Sequence, residues 1–216
     1  KTAEAIKQKS DVPILVGGVL PTLSPDLFFE QTPVDFLLRG EAEPLILDLV
    51  ERISLGTYHD VPNLAYKANG EVIKNEMTSF VDDLDTIPFC DHELYPNQSN
   101  TLFVLSSRGC VLKCNFCSAG QFSRKTASLG TGAVRKRSVG CVIDEIKQAL
   151  KIRTYRDIYF FDDFFITTSK WLIEFRDKYN EEIQGSVNRI EKVLQESGLR
   201  HEGALAWQSK VGPQRT

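Results

Sequence analysis

Short apolar segments alternate with amphipathic ones towards both ends of the chain, and this alternation constrains the fold more than any other feature. Four segments have the length and the Val, Ile, Leu and Phe content of strands. They are DVPILVGG (11–18), VDFLLRG (34–40), TLFVLSS (101–107) and DIYFFDDFF (157–165). Because strands separated by helices usually pair in parallel, the pattern predicts an α/β fold built on parallel sheets.

Four segments between or after these strands are expected to be helical, since they have helical spacing or a helix-capping residue at the start. They are 24–31, 41–53, 139–152 and 167–183. Ser24 is a suitable N-cap with Pro25 in the first helical position, and Gly56 is placed to end the second helix. Thr167 or Thr168 is expected to cap the fourth.

The middle of the chain differs in character from both ends. Two short alternating runs surround Asn69-Gly70, which predicts a β-hairpin, and residues 81–100 are rich in Pro, Asp and Asn, as in a linker. The chain is therefore divided into parts 1–56, 57–100 and 101–216. In the last part, 121–137 is basic and expected to be irregular, 185–198 helical, and HEGALAWQSK (201–210) the start of a further strand.

The composition is that of an ordinary soluble protein, with 42% hydrophobic residues, 25% charged residues and a formal net charge of −3. This charge gives no reason to expect nucleic acid as a partner. No apolar run approaches the ~18 residues of a transmembrane segment and no signal peptide opens the sequence, which favours a cytoplasmic protein. The sequence begins at Lys1 inside a helix-like segment, so we interpret it as a piece of a longer protein.

Three closely spaced cysteines are the strongest chemical signal. Cys110, Cys114 and Cys117 lie in SSRGCVLKCNFCSAG (106–120), and the odd total of five cysteines argues against a disulfide framework. Thiolates at this spacing favour an iron–sulfur cluster, with zinc as the alternative. Structural zinc and ferredoxin-type clusters need four ligands, and no second CxxC pair is present to supply them.

A CxxxCxxC motif after a strand, with Phe116 before the third cysteine and SSRGC as its lead-in, resembles the signature of the radical S-adenosylmethionine superfamily. The resemblance implies that Cys110, Cys114 and Cys117 hold three irons of a [4Fe–4S] cluster. The fourth iron then binds S-adenosylmethionine, which the reduced cluster cleaves to a 5′-deoxyadenosyl radical. Phe116 would lie near the adenine. Val111 departs from the pattern, because many relatives have Pro there.

Two acidic residues, Asp162 and Asp163, are placed at the end of the predicted strand 157–165. Active sites of α/β folds lie at such strand ends, although an acid there can also cap the following helix. In the superfamily this strand end approaches the methionine amino group, and the DD-F pattern resembles the cobalamin-dependent branch. The resemblance therefore implies that Asp162 or Asp163 faces S-adenosylmethionine.

The N-terminal run VPILVGGVLPTLSP followed by VDFLLRGEAEPLILDL resembles the C-terminal half of a cobalamin-binding domain. The resemblance implies cobalamin contacts from Gly17, Gly18 and Thr22, and from Gly40 and Glu41 of an RGE turn. The DxHxxG and SxL segments found in many cobalamin proteins are not in this sequence.

Together the resemblances imply the C-terminal part of a Rossmann-like cobalamin-binding domain (1–56), a connector (57–100), and the first βα units of a partial (βα)6 TIM-type barrel (101–216). The expected function is radical S-adenosylmethionine chemistry, with cobalamin-dependent methyl transfer or a related radical reaction. The substrate is an unknown small or lipid-like molecule, and the electron donor would be of flavodoxin or ferredoxin type. We expect the piece alone to be inactive. The alternative is a non-catalytic module holding zinc or a closed iron–sulfur site.

Overall fold

The structure is a computed structural model, and it describes residues 1–94, 100–112, 114–128, 130, 132–163, 165 and 168–183. The helices in this part of the chain are α1 (Thr2–Lys7), α2 (Val19–Leu23), α3 (Pro25–Gln31), α4 (Ile46–Leu55), α5 (Ser118–Ala127), α6 (Val139–Ile152) and α7 (Ser169–Glu182). The strands are β1 (Leu15–Gly17), β2 (Phe36–Leu38), β3 (Leu64–Ala68), β4 (Glu71–Lys74), β5 (Thr101–Val104), β6 (Ser107–Gly109), β7 (Val134–Lys136) and β8 (Asp157–Phe160). The predicted α/β character is confirmed.

The chain forms two compact units. Among the described residues, the first consists of Lys1–Asp82 with Gly109–Val134, and the second of Asp83–Arg108 with those from Arg135 to Ile183. The cysteine loop, residues 109–120, belongs to the same unit as the N-terminal segment.

The first unit contains a four-stranded mixed sheet in the order β1-β2-β3-β4. β1 and β2 are parallel, as the alternation predicts, whereas β3 and β4 add antiparallel strands. The hairpin expected at Asn69-Gly70 is confirmed, and both residues have the positive φ angles, 52° and 82°, that a tight turn requires. Its strands continue the N-terminal sheet. The fully buried side chains of Leu38, Leu49 and Leu64 form one core of this unit.

The second unit is organised around β5 and β8, which pair in parallel through a crossover that includes α6. Side chains alternate between the two faces, as strand geometry dictates. Leu102, Val104, Ile158 and Phe160 face the core formed with α6 and α7. The residues at the alternate positions, Phe103, Tyr159 and Phe161, lie on the other face. Their rings contact one another in edge-to-face or tilted geometry, with centroids 5.8–6.2 Å apart.

Several local expectations hold, and others need correction. Thr168 caps α7, since its hydroxyl accepts the Trp171 N–H over 3.2 Å. Ser24 is the N-cap residue of α3, although its side chain makes no capping hydrogen bond. The helix expected from residue 41 begins only at Ile46 and ends at Gly56, which is left-handed.

The expectation of irregular structure over 121–137 is wrong. This stretch contains most of α5 and all of β7. The buried positions of α5 are Gly120, Ser123 and Thr126, which recur at helical spacing but are small or polar. A search for apolar periodicity therefore finds no signal there.

The helix expected over 185–198 and the strand expected at 201–210 lie outside the described residues. Among the helices described, none is long and apolar enough to cross a membrane.

Candidate functional site

The cysteine loop begins at a glycine that no other residue can easily replace. Gly109, the last residue of β6, has a φ of +104°, a region that side chains rarely adopt. A Cβ atom built there would lie 2.1 Å from the carbonyl oxygen of Ala133. The backbone next to Cys110 therefore packs directly against the segment that precedes β7.

Cys110 is buried at the base of the loop and held by α5. Its backbone N–H donates to the Ser123 hydroxyl over 2.8 Å, and that hydroxyl donates to the Ala119 carbonyl over 2.8 Å. The Leu112 N–H points at the Cys110 sulfur at 3.4 Å.

The rest of the loop is more open. Cys114 and Cys117 are half-buried, and the Cys117 N–H donates to the Cys114 carbonyl over 3.3 Å just before α5 begins. Phe116 is 94% exposed, so its ring is available to a ligand. Gly120 lets α5 lie close to the loop, since a Cβ there would be 2.5 Å from the Leu112 carbonyl oxygen.

Three thiols on one short loop fit an iron–sulfur cluster in their chemistry and their spacing. Their arrangement is not yet that of a ligand set. Among the described residues, no group of three or more His, Cys, Asp or Glu side chains is close enough to hold a metal ion. Metal sites commonly complete their geometry on binding, so the loop would have to close around a cluster.

Cys90 and Cys141 belong to the second unit and not to the unit of the cysteine loop. Burial raises the pKa of both thiols, so both favour the neutral form. Cys141 also accepts a contact from the Arg137 guanidinium at 3.2 Å.

The two acids after β8 have different surroundings. Asp162 is half-buried and accepts the Ser106 N–H at 3.1 Å, the Ser106 hydroxyl at 3.0 Å and the Ser107 hydroxyl at 2.5 Å. Burial raises the pKa of Asp162, and the hydrogen bonds from the two serines oppose that shift. Asp163 is exposed. Asp162 therefore joins the ends of β5 and β8, whereas Asp163 faces solvent.

Lys136 lies in an aromatic setting within the second unit. Its ammonium is 4.2 Å from the centroid of the Trp171 ring and 5.1 Å from that of Phe165. Burial lowers the pKa of Lys136 to about 8, and the charge of Asp162 opposes this shift. Trp171 is in turn fixed by stacking on Phe175 with centroids 5.2 Å apart.

The residues with an expected cobalamin role fall into two groups. Gly17 and Gly18 are exposed at the end of β1, and Gly18 has a φ of +107°. Thr22 is buried, and its hydroxyl donates to the Gly18 carbonyl over 2.6 Å and accepts the Gly40 N–H over 2.8 Å. Glu41 is buried and accepts the Val81 N–H over 2.9 Å.

In this group, the exposed glycines Gly17 and Gly18 could meet a ligand, whereas the buried Thr22 and Glu41 support the backbone around them. Thr22 joins the loop after β1 to the turn after β2, so both strand ends meet as expected for neighbouring parallel strands. Gly40 packs against the Phe80 ring, where an added Cβ would be 2.9 Å from the nearest ring atom. Gly17 and Gly18 therefore remain the accessible members of the set.

Sequence reasoning missed several residues that hold the site together. Ser123 supports Cys110, Ser106 and Ser107 bind Asp162, and Lys136 carries the perturbed ammonium described above. The serines of SSRGC are visible as part of the motif, but the sequence gives no sign of their partner on β8. Ser123 could have been found only by testing for a helix with a small, polar buried face.

Comparison with known proteins finds similarity in sequence and in fold. No protein-family model matches the chain. The chain is 29% identical over 178 residues to an uncharacterized methyltransferase of Pyrococcus horikoshii, covering 78% of the chain and 37% of that protein. It is 29% identical over 164 residues to an anaerobic magnesium-protoporphyrin IX monomethyl ester cyclase of Rubrivivax gelatinosus, covering 70% of the chain and 28% of that enzyme. The chain thus spans about a third of the length of these relatives.

Two solved structures resemble the fold. One is the radical S-adenosylmethionine methyltransferase TsrM from Kitasatospora setae, with a TM-score of 0.63, 16% identity and coverage of 84% of this chain and 36% of that one. The other is the cobalamin-dependent S-adenosylmethionine radical enzyme OxsB, with a TM-score of 0.62, 21% identity and coverage of 85% and 26%.

The chain is thus similar in sequence to a methyltransferase and to a cyclase, and similar in fold to two S-adenosylmethionine radical enzymes. The mixed α/β fold resembles that of cobalamin-dependent S-adenosylmethionine radical enzymes.

Proposed function

We propose that this chain is the cofactor-binding portion of a cobalamin-dependent radical S-adenosylmethionine enzyme, with methyl transfer or a related radical reaction as its chemistry. The observation that supports this most directly is the cysteine loop, which has the superfamily spacing and is anchored by Gly109 and Ser123. The curated relatives are enzymes by name, so a non-catalytic metal module is not favoured.

In this proposal the chain's own residues bind and orient the cofactors. Cys110, Cys114 and Cys117 would ligate three irons of a [4Fe–4S] cluster, and the exposed Phe116 ring would pack on the adenine. When bound, the cluster would supply the electron that cleaves S-adenosylmethionine to methionine and a 5′-deoxyadenosyl radical, and cobalamin would serve as the methyl carrier. Asp163 is the better placed of the two acids to meet the cosubstrate, because Asp162 is already engaged by two serines.

The N-terminal residues would serve the second cofactor. Gly17 and Gly18 offer an exposed backbone that a corrinoid tail could approach closely, as glycines do in dinucleotide sites. Thr22, Gly40 and Glu41 would position that loop. On this view residues 1–56 belong to a Rossmann-like cobalamin-binding domain, 57–100 to a connector, and 101–216 to a partial TIM-type barrel.

Other parts of the proposal concern the longer protein. Since the chain spans about a third of its relatives, turnover is proposed only for a protein of their length. The reaction would draw an electron from a donor of flavodoxin or ferredoxin type and act on a small or lipid-like molecule. A cytoplasmic setting suits an oxygen-sensitive cluster.

The decisive experiment is anaerobic reconstitution of the chain with iron and sulfide, followed by metal analysis and spectroscopy. We expect about four irons per chain and a spectrum that S-adenosylmethionine perturbs. Replacing Cys110, Cys114 or Cys117 with Ala should abolish the cluster, whereas the matched Cys90→Ala and Cys141→Ala variants should keep it. Stoichiometric zinc, or a cluster that ignores S-adenosylmethionine, would refute the proposal in favour of a metal module.

Two further comparisons test the individual roles. If an acid after β8 contacts the cosubstrate, Asp163→Asn should reduce the spectral response to S-adenosylmethionine; an unchanged response in both the Asp162→Asn and Asp163→Asn variants rejects that role. For cobalamin, Gly17→Ala should weaken binding in an absorbance titration with aquacobalamin. Gly132→Ala is the matched control, because a Cβ at either glycine finds similar space, 3.4 and 3.3 Å from the nearest atom.

A further inference from the structure

The second unit contains a cavity of about 230 Å³ that the proposed cofactors do not use. Its lining includes Leu84, Ile87 and Pro88 of the segment that leads to β5. It also includes Phe103 and Phe161, which lie on one face of the β5–β8 pair. The volume lies somewhat below the roughly 300 Å³ at which pockets begin to hold drug-sized ligands.

The aromatic part of this lining is exposed but well organised. Phe103 is 47% and Phe161 is 66% exposed, and their rings meet edge to face at 90° with centroids 6.2 Å apart. The Phe161 N–H donates to the Val104 carbonyl over 2.9 Å, so the backbone below this ring continues the strand pairing. Two large apolar side chains held in this way in a cavity are a typical ligand contact.

The polar groups around the cavity are occupied by one another. Arg137 and Glu145 form an ion pair whose side chains are only 11% and 5% exposed. Arg137 also donates to the Leu105 carbonyl over 2.9 Å. The Ser107 hydroxyl donates to Asp162, and Arg108 has an interaction of its own within the chain.

The paired polar groups and the exposed aromatic rings together favour an uncharged, apolar ligand. A charged ligand would have to compete with the Arg137–Glu145 pair and with the partners of Ser107 and Arg108 while losing its hydration. An apolar ring instead gains contacts with Phe103 and Phe161 and removes their exposed surface from water. Burial also raises the pKa of the Cys90 thiol at the cavity, which keeps that group neutral.

We propose that this cavity is a binding site for a small, uncharged aromatic molecule, which contacts Leu84, Ile87, Phe103 and Phe161. The site does not depend on the iron–sulfur cluster, so it can be tested on the iron-free chain. Failure of the proposed enzyme chemistry would leave this result unaffected.

The test is a fluorescence titration of the chain with 2-naphthol, compared with naphthalene-2-sulfonate as a charged analogue of similar shape. We expect saturable binding of 2-naphthol and affinity for the sulfonate at least about tenfold weaker. Ile87→Trp should fill the cavity and weaken 2-naphthol binding by about tenfold or more. Leu47→Trp is the matched control, since Leu47 is 85% exposed on α4 of the other unit.

A second variant keeps the test decisive if Ile87→Trp disturbs folding. Phe161→Ala removes an exposed ring and should weaken binding by about tenfold without changing the midpoint of thermal unfolding. The proposal is overturned if the chain shows no saturable binding of 2-naphthol. Equal affinity for the sulfonate, or unchanged binding in a folded Ile87→Trp or Phe161→Ala variant, overturns it as well.

Discussion

Asp162 accepts hydrogen bonds from both the backbone N–H and the hydroxyl of Ser106, over 3.1 and 3.0 Å. Ser106 is completely buried and follows β5, while Asp162 follows β8, so the contact joins the ends of two parallel strands. The sequence offers two roles for an acid here, facing a ligand or capping the next helix; the structure adds that Asp162 holds the two strand ends together.

Replacing this carboxylate should cost stability, whereas replacing its neighbour should not. Asp162→Asn exchanges one acceptor oxygen for an amide and disrupts hydrogen bonds from buried serines, so we expect the free energy of unfolding to fall by about 1–3 kcal/mol. Asp163→Asn lies on the exposed side and should change it by less than about 0.5 kcal/mol. Urea unfolding of both variants measures the difference, and equal effects would contradict the assignment.

The glycine before Cys110 should be irreplaceable. Gly109→Ala combines a φ of +104° with a Cβ only 2.1 Å from a backbone oxygen, so we expect a loss of more than about 2 kcal/mol in the free energy of unfolding. Iron uptake on reconstitution should fall with it. Gly140→Ala is the control, because it adds a Cβ in α6 with its nearest neighbour 3.6 Å away. That change should be neutral or should stabilise by up to about 1 kcal/mol. A Gly109→Ala variant with unchanged stability and full iron content would show that the close packing of Gly109 on the Ala133 carbonyl is not required for folding or cluster binding.

The ammonium of Lys136 should make stability depend on pH in a definite direction. Its pKa is about 8 in the folded chain instead of the ordinary 10.5, so between these values the unfolded chain holds a proton that the folded chain has released. The contribution of this group to the free energy of unfolding therefore rises as the pH increases from about 8 to 10.5. Lys136→Met lacks the effect, so between pH 7 and pH 10.5 the natural chain should gain about 1–3 kcal/mol of stability relative to this variant, a range that allows for the partial exposure of Lys136.

Urea unfolding of both chains at several pH values checks this, because the other titrating groups cancel in the difference. A difference that stays constant with pH would mean that the Lys136 ammonium is not perturbed by burial.

The hydroxyl of Thr22 should contribute more to the free energy of unfolding than its methyl group does. Thr22→Val keeps the shape but removes the acceptor of the Gly40 N–H, so we expect a loss of about 1–3 kcal/mol in the free energy of unfolding. Thr22→Ser keeps the hydroxyl and should cost less than about 1 kcal/mol. Chemical denaturation distinguishes the two, and a Val variant as stable as the Ser variant would contradict the proposed link between the strand ends.

Local patterns were enough to predict much of the secondary structure. The alternation of Leu102 to Val104 and the helical spacing of 139–152 indicate β5 and α6 because apolar side chains that face a core recur with the period of their element. The turn at Asn69-Gly70 and the cap at Thr168 follow from residues whose preferences are local. The spacing of Cys110, Cys114 and Cys117 likewise predicts an iron–sulfur site, because the type of ligand and its separation along the chain can be read from the sequence.

Tertiary structure decided the features that depend on distant neighbours. Only the pairing of β5 with β8 brings the buried serines to Asp162 and leaves Asp163 exposed, although the two acids are adjacent in sequence. Only packing makes a helix of 118–127, whose buried face is small and polar, and joins the hairpin to the N-terminal sheet. The sequence determined which groups are present and their local conformation, while burial, which is set by residues far apart in the chain, determined which of those groups remain available to a ligand.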